Sequence, residues 1–125
     1  MEAVLAAEQS GEAGAELAVA VYLHRLRAGI AAMASTMDGF DALVFTGGVG
    51  ENAPSIRSRA ADGLAFLGVA VAPDRNSAAK LDAEIGSADA RVRVFAIRAR
   101  EDIEIARGVR HALGGGQARA DTSPR

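Results

Sequence analysis

Between Phe45 and Arg57 the chain reads FTGGVGENAPSIR, with Gly47, Gly48 and Gly50 placed between an apolar run and a stretch suited to a helix. Glycines there let the backbone approach a ligand closely and adopt positive φ. The unpaired N–H groups and dipole of the following helix favour an anion. The chemistry on offer is phosphate binding, although a tight strand-to-helix turn without a ligand uses the same residues. Glu51 is the anomaly, because a carboxylate repels the anion such a turn would hold.

Two phosphate-binding patterns can be set against these residues. A Walker A loop needs Lys followed by Ser or Thr after its last glycine, and Glu51 and Asn52 stand there instead. The dinucleotide fingerprint fits better. Gly48, Gly50 and Ala53 satisfy G-x-G-x-x-[G/A] after a strand, and Asp74 lies near the end of the next apolar segment, so a small NAD-binding domain is one reading. Glu51, close to the pyrophosphate position with no offsetting cation, weighs against it.

The elements that must position the turn follow from periodicity. Val19, Leu23, Leu26, Ile30, Met33 and Met37 recur at spacings of four and three, which predicts a helix from Glu12 to Met37 with one buried stripe. Arg25 and Arg27 lie off that stripe, on the solvated side, and Gly39 can take the left-handed cap. Ala42 to Phe45 is an apolar run without alternation, as in a strand covered on both faces. Asn52 or Ser55 can cap a helix that accepts Pro54 in its first turn and carries Ile56, Ala60 and Ala61 inward. Leu64 to Val71 predicts at least one short strand, and Ser77 to Ile85 a brief helix. In Arg91 to Ile97, Val92, Val94 and Ala96 alternate with Arg91, Arg93 and Phe95, which reads as a second strand. Asp102 to Leu113 is amphipathic, with Ile103, Ala106, Val109 and Ala112 or Leu113 inward, and Gly114 to Gly116 stop it.

The chain has 125 residues, half of them hydrophobic and few aromatic, which fits one domain with a core of small aliphatic side chains. A formal charge of −2 supplies no field that draws a protein onto nucleic acid or an anionic membrane. The lack of cysteine removes disulfides and thiolate metal sites. No secretory signal and no uninterrupted apolar run of about 18 residues is visible, so a cytoplasmic protein is expected. His24 and His111 read as surface or packing histidines, the second as a cation favoured near a helix C-terminus.

FTGGVGEN followed by Arg57 resembles the FTGGIGEN-x-x-x-x-R signature of the acetate kinase family, which includes propionate and butyrate kinases. VYLHRLRAGIAAM upstream, FDALVF into the turn, LGVAVAPDRN downstream and the late REDIEIAR follow the family's order and spacing. The resemblance covers residues 12 to 113, leaving residues 1–11 as an N-terminal extension and 114–125 as a flexible tail.

This resemblance implies an α/β fold: part of a ribonuclease H-like lobe of the sugar kinase, Hsp70 and actin type, with parallel-strand pieces flanked by helices. It implies a nucleotide-binding C-terminal portion of an enzyme that moves phosphate between ATP and a short-chain carboxylate, giving ADP and an acyl phosphate. Gly48, Val49, Gly50, Glu51 and Asn52 would contact the nucleotide. Glu101 would be the Mg2+ ligand, where the family commonly has Asn-Glu-Glu and this chain has Arg100, Glu101 and Asp102. Glu51 would then turn either towards N–H groups of the turn or towards the nucleoside sugar. Arg57 matches a family position, and a local surface pair would equally explain it. Relatives are several-fold longer and form homodimers through this portion, and their acyl-binding and catalytic residues lie upstream of it. The chain is therefore expected to be inactive alone. A non-catalytic remnant or dimerisation domain is the other reading.

Overall fold

Two alanine-rich helices open the chain, α1 (Glu2–Gln9) and α2 (Ala13–Thr36), in a computed structural model that describes residues 1–117. The first turns into the second at Gly11, whose φ of +83° suits glycine. α2 ends in a Schellman arrangement in which the Gly39 N–H donates to the Ala34 carbonyl at 2.8 Å. Asp38 takes the left-handed position at φ +57°, and Gly39, expected in that role, follows it at φ +103°. α2 is long and apolar enough to cross a membrane; in this fold it buries Ala15, Val19, Leu23 and Ala34. The rest of the expected stripe is less covered, with Leu26 and Ile30 half-buried and Met33 and Met37 exposed. Arg27 is half-buried instead of solvated, and its guanidinium donates to the Arg59 carbonyl.

The next elements are β1 (Ala42–Phe45), α3 (Gly47–Asn52), α4 (Pro54–Asp62), α5 (Pro73–Ser77), β2 (Ala83–Glu84), β3 (Arg93–Ala96) and α6 (Glu101–Gln117). The strands form one sheet in the order β1-β3-β2, with β1 parallel and β2 antiparallel to β3. β1 is an edge strand with Ala42 and Val44 exposed. The reading of a strand covered on both faces is corrected: Phe45 faces the core, while Ala42 and Val44 lie on the opposite face with Arg93 and Phe95, which is largely open. β3 shows the expected alternation, with Val92, Val94 and Ala96 buried and Arg91 and Arg93 in solvent.

Four further expectations change. The glycine loop is itself a short helix, α3, entered at Gly47 with φ +72°. Residues 64–71 form a 3-10 turn at Ala65–Leu67 and two isolated bridges, because Gly68 at φ +86° breaks the extended chain. The helix expected at 77–85 lies earlier, at α5, since Pro73 suits the first turn of a helix and starts it there. α6 runs on through Gly114–Gly116 to Gln117, and its expected inward residues Ile103, Val109 and Leu113 are exposed. The tail expectation for 118–125 lies outside the described residues.

The core joins α2, β1, α4 and β3 through Val19, Leu23, Phe45, Ile56, Leu64, Ile85, Val92 and Val94. A fully buried aliphatic side chain of this kind contributes roughly 1.5–3 kcal/mol. Phe45 and Ile56 flank α3 in sequence, so the turn is fastened to the core on both sides.

Candidate functional site

The three glycines of α3 differ in why they must be glycine. Gly47 has a positive φ. At Gly50 a Cβ would stand 3.0 Å from the Phe45 carbonyl carbon, too close for any side chain to be accommodated freely. Gly48 has neither constraint. It is exposed, and among the described residues a Cβ there would meet nothing within 4 Å. With Val49, Asn52 and Ala53 it lines one wall of a cleft of about 720 Å³ whose other wall is α1, through Met1, Glu2, Leu5, Ala6 and Gln9.

The Glu51 carboxylate does not project into that cleft wall. Its Oε1 accepts the Gly47 N–H at 3.1 Å, one helical turn back, and the Ala99 N–H at 2.8 Å, from the segment that leaves β3. Of the two directions open to it in the sequence, Glu51 thus takes the one towards backbone N–H groups. Asn52, expected as a candidate cap for the next helix, instead donates from Nδ2 to the Gly48 carbonyl at 2.9 Å. α4 begins from Ala53 with Pro54 in its first turn and no side-chain cap.

Arg57 is 1% exposed. Its Nη1 donates to the Gly50 and Glu51 carbonyls at 2.8 and 2.9 Å, its Nε to Asn76 Oδ1 at 2.7 Å, and its Nη2 to the Asn76 carbonyl at 2.9 Å. Burial lowers the pKa of this guanidinium from its ordinary value. Among the described residues it has no carboxylate partner; it meets the carbonyls that end α3 and one from α5, the negative ends of two short helices. Asn76 is buried too, with Nδ2 donating to the Pro54 carbonyl and Ser58 Oγ, each at 2.8 Å. The sequence left the role of Arg57 open and gave no sign of Asn76 as its partner. The available signal was an arginine beside Ile56 on the buried side of an amphipathic helix.

Glu101 is the first residue of α6, and its carboxylate is exposed with no hydrogen bond or ion pair among the described residues. It lies two residues after Ala99, so its Cα stands within roughly 7 Å of the Cα of the residue that bonds Glu51. The fold therefore brings Glu101 near α3, although more than 40 residues intervene. Among the described residues no group of three acidic, His or Cys side chains could hold a metal unaided. A lone exposed carboxylate fits a hard cation that takes most of its oxygens from water and phosphate. Asp74 lies exposed on α5, and His24 and His111 lie exposed on α2 and α6.

The architecture matches solved acetate and propionate kinases. The structure superposes on Porphyromonas gingivalis acetate kinase with a TM-score of 0.78 and 30% identity, covering 88% of this chain and 28% of that one. It superposes on a propionate kinase from Francisella tularensis with a TM-score of 0.76 and 32% identity, covering 84% and 27%. The fold is thus the actin-like phosphotransferase fold, in part. Residues 1–107 match the model of the acetokinase family, and the chain belongs to that family. It is 54% identical over 97 residues to acetate kinase from Gloeobacter violaceus, covering 78% of this chain and 24% of the relative. It is 44% identical over 115 residues to acetate kinase from a Synechococcus strain, covering 92% and 28%. The chain spans about a quarter of the length of the curated relatives it matches.

Proposed function

We propose that this chain is the nucleotide-binding C-terminal part of an acetate-kinase-like phosphotransferase, with α3 as its nucleotide contact and Glu101 as its Mg2+ ligand. The observation that carries the reading is Gly48. It is the one glycine of α3 with no internal reason to be glycine, and it faces a cleft of a size suited to a nucleotide. The contacts are Gly48, Val49, Gly50, Asn52 and the backbone of Glu51, over which a ligand can approach closely. When bound, Mg2+ neutralises charge on the phosphate oxygens. This chain supplies one carboxylate to orient it.

The full reaction, ATP and acetate to ADP and acetyl phosphate, needs groups on both sides of a cleft to position donor and acceptor. These 125 residues are proposed to supply one side and to show no turnover alone. Residence in the cytoplasm belongs to the same reading, and the charge of −2 supports a lack of nucleic-acid or membrane partners. A homodimer is supported by the open apolar groove lined by Leu26, Ile30, Met33, Met37, Phe40 and Leu43. Monomeric sedimentation at high concentration would remove that part.

The test is calorimetric titration with ADP, and with NAD as the competing ligand, each with and without Mg2+. Mg2+-dependent ADP binding that weakens in Glu101→Ala supports the reading. A folded chain that binds neither ligand removes it and leaves a non-catalytic domain.

A further inference from the structure

Three consecutive residues, Arg98, Ala99 and Arg100, lead from β3 to Glu101, and two carboxylates grip them. Asp82 Oδ1 accepts the Arg98 N–H at 3.2 Å, and both its oxygens accept the Arg100 guanidinium at 3.2 and 2.5 Å. Glu51 Oε1 accepts the Ala99 N–H between them. We propose that Glu51 and Asp82 are positioning residues that fix where Glu101 stands relative to α3, Glu51 tying the nucleotide contact directly to the metal carboxylate. This deepens, and rests on, the reading of α3 and Glu101 given above.

The sheet explains why a side chain is needed. The β1–β3 ladder continues through the Ile97 N–H, which donates to the Phe45 carbonyl at 2.9 Å. In a parallel ladder the next donor, two residues on, is Ala99, and its acceptor would come from beyond Thr46. The chain has already turned into α3 at Gly47, so no backbone carbonyl continues the edge, and Glu51 Oε1 takes the donor. The same oxygen accepts the Gly47 N–H, so one atom joins the start of α3 to the exit of β3. Gly47 and Glu51 share one side of α3, whereas Gly48 and Asn52 share the side that lines the cleft. This accounts for a glutamate within the glycine motif: it serves the joint between two parts of the site and spares the phosphate the repulsion of its charge.

The experiment compares the unsubstituted chain with Glu51→Gln, which keeps an acceptor oxygen, and Glu51→Ala, which removes it. Two readouts are taken: ADP affinity with and without Mg2+, and exchange of the Ala99 amide by NMR. In Glu51→Ala the Ala99 amide should exchange about tenfold faster and the Mg2+ enhancement of ADP affinity should fall about tenfold, as expected for loss of one charge-assisted hydrogen bond. Glu51→Gln should restore both readouts in large part. A Mg2+ enhancement that survives Glu51→Ala overturns the positioning role and leaves the nucleotide reading intact. Mg2+-free affinity lost equally in both variants also overturns it, in favour of direct contact by the charge. No Mg2+ effect in the unsubstituted chain overturns both readings. Should Glu51→Ala fail to fold, Asp82→Gly, which accepts the φ of +68° at that position but has no acceptor, against Asp82→Asn applies the same test from the other grip.

Discussion

Arg57 grips both oxygens of Asn76, the side-chain Oδ1 at 2.7 Å and the backbone carbonyl at 2.9 Å. With its other donor on the carbonyls that end α3, the guanidinium holds α3, α4 and α5 at one point. Removing it leaves buried acceptors without partners. Arg57→Ala is expected to cost about 3–5 kcal/mol, and Arg57→Lys, which cannot reproduce the planar fork, about 1–3 kcal/mol. Asn76→Ala should cost about 2–3 kcal/mol, because it strands the Arg57 Nε. Urea unfolding midpoints check all three, and equal effects of Ala and Lys at position 57 would refute the fork argument.

The glycines of α3 should separate stability from binding. Gly50→Ala pushes a Cβ against the Phe45 backbone and is expected to destabilise the fold by about 1–3 kcal/mol. Gly48→Ala meets no neighbour, so unfolding should shift by less than about 1 kcal/mol while ADP binding is lost. Paired denaturation and titration of the two variants decide the matter; retained ADP binding in Gly48→Ala would count against α3 as the contact.

One ion pair on the sheet makes a pH prediction. Arg93 donates to both oxygens of Glu84, and that hydrogen bond, with the charge of Arg93 and then of Arg75, holds the Glu84 carboxyl below the usual carboxylate range. A folded-state pKa lower than the unfolded one means the contribution is complete above the unfolded value, ~4.3, and is lost as pH falls through the folded value. Unfolding midpoints measured from pH 6 down to pH 3 should therefore fall more steeply in the unsubstituted chain than in Glu84→Gln. The pair is exposed, so 1 M salt should narrow the difference.

α6 offers a contrast with the core. Ile105 and Leu113 are 67% and 72% exposed, and Val109 between them is 51% exposed. Val109→Lys is expected to change stability by less than about 0.5 kcal/mol, whereas Val94→Ala, at a fully buried position, should cost about 1–3 kcal/mol. A large loss from Val109→Lys, dependent on protein concentration, would reveal a second copy covering this helix.

Residues with a local cause were legible in the sequence. The existence and span of α2, the burial of Val19 and Leu23, the span of β1 and the alternation of Val92, Val94 and Ala96 follow from periodicity; the lower α2 stripe and the residue that caps the helix do not. The family resemblance named Gly48–Asn52 and Glu101 as site residues, and the parallel alignment of β1 with β3 brings the segments that carry them close together. What escaped depends on tertiary context. The inward stripe of α6 is real as a pattern, yet nothing among the described residues packs on it. Pro73 reads equally well as an end or a beginning until α5 is seen to start there. Arg57 and Asn76 lie 19 residues apart with no shared pattern, so their pairing is visible only once α4 and α5 touch.

The hydrogen bond from Ala99 to Glu51 spans 48 positions of chain. Closing so long a loop costs conformational entropy before any contact repays it, while helices such as α2 and α4 need only local contacts to begin. The docking of β3 on β1 is therefore expected late in folding, and the site comes into being with it. A partly folded chain can hold most of its helices and still lack the joint between α3 and the segment at Ala99. In refolding, helical signal should recover first and ligand affinity last.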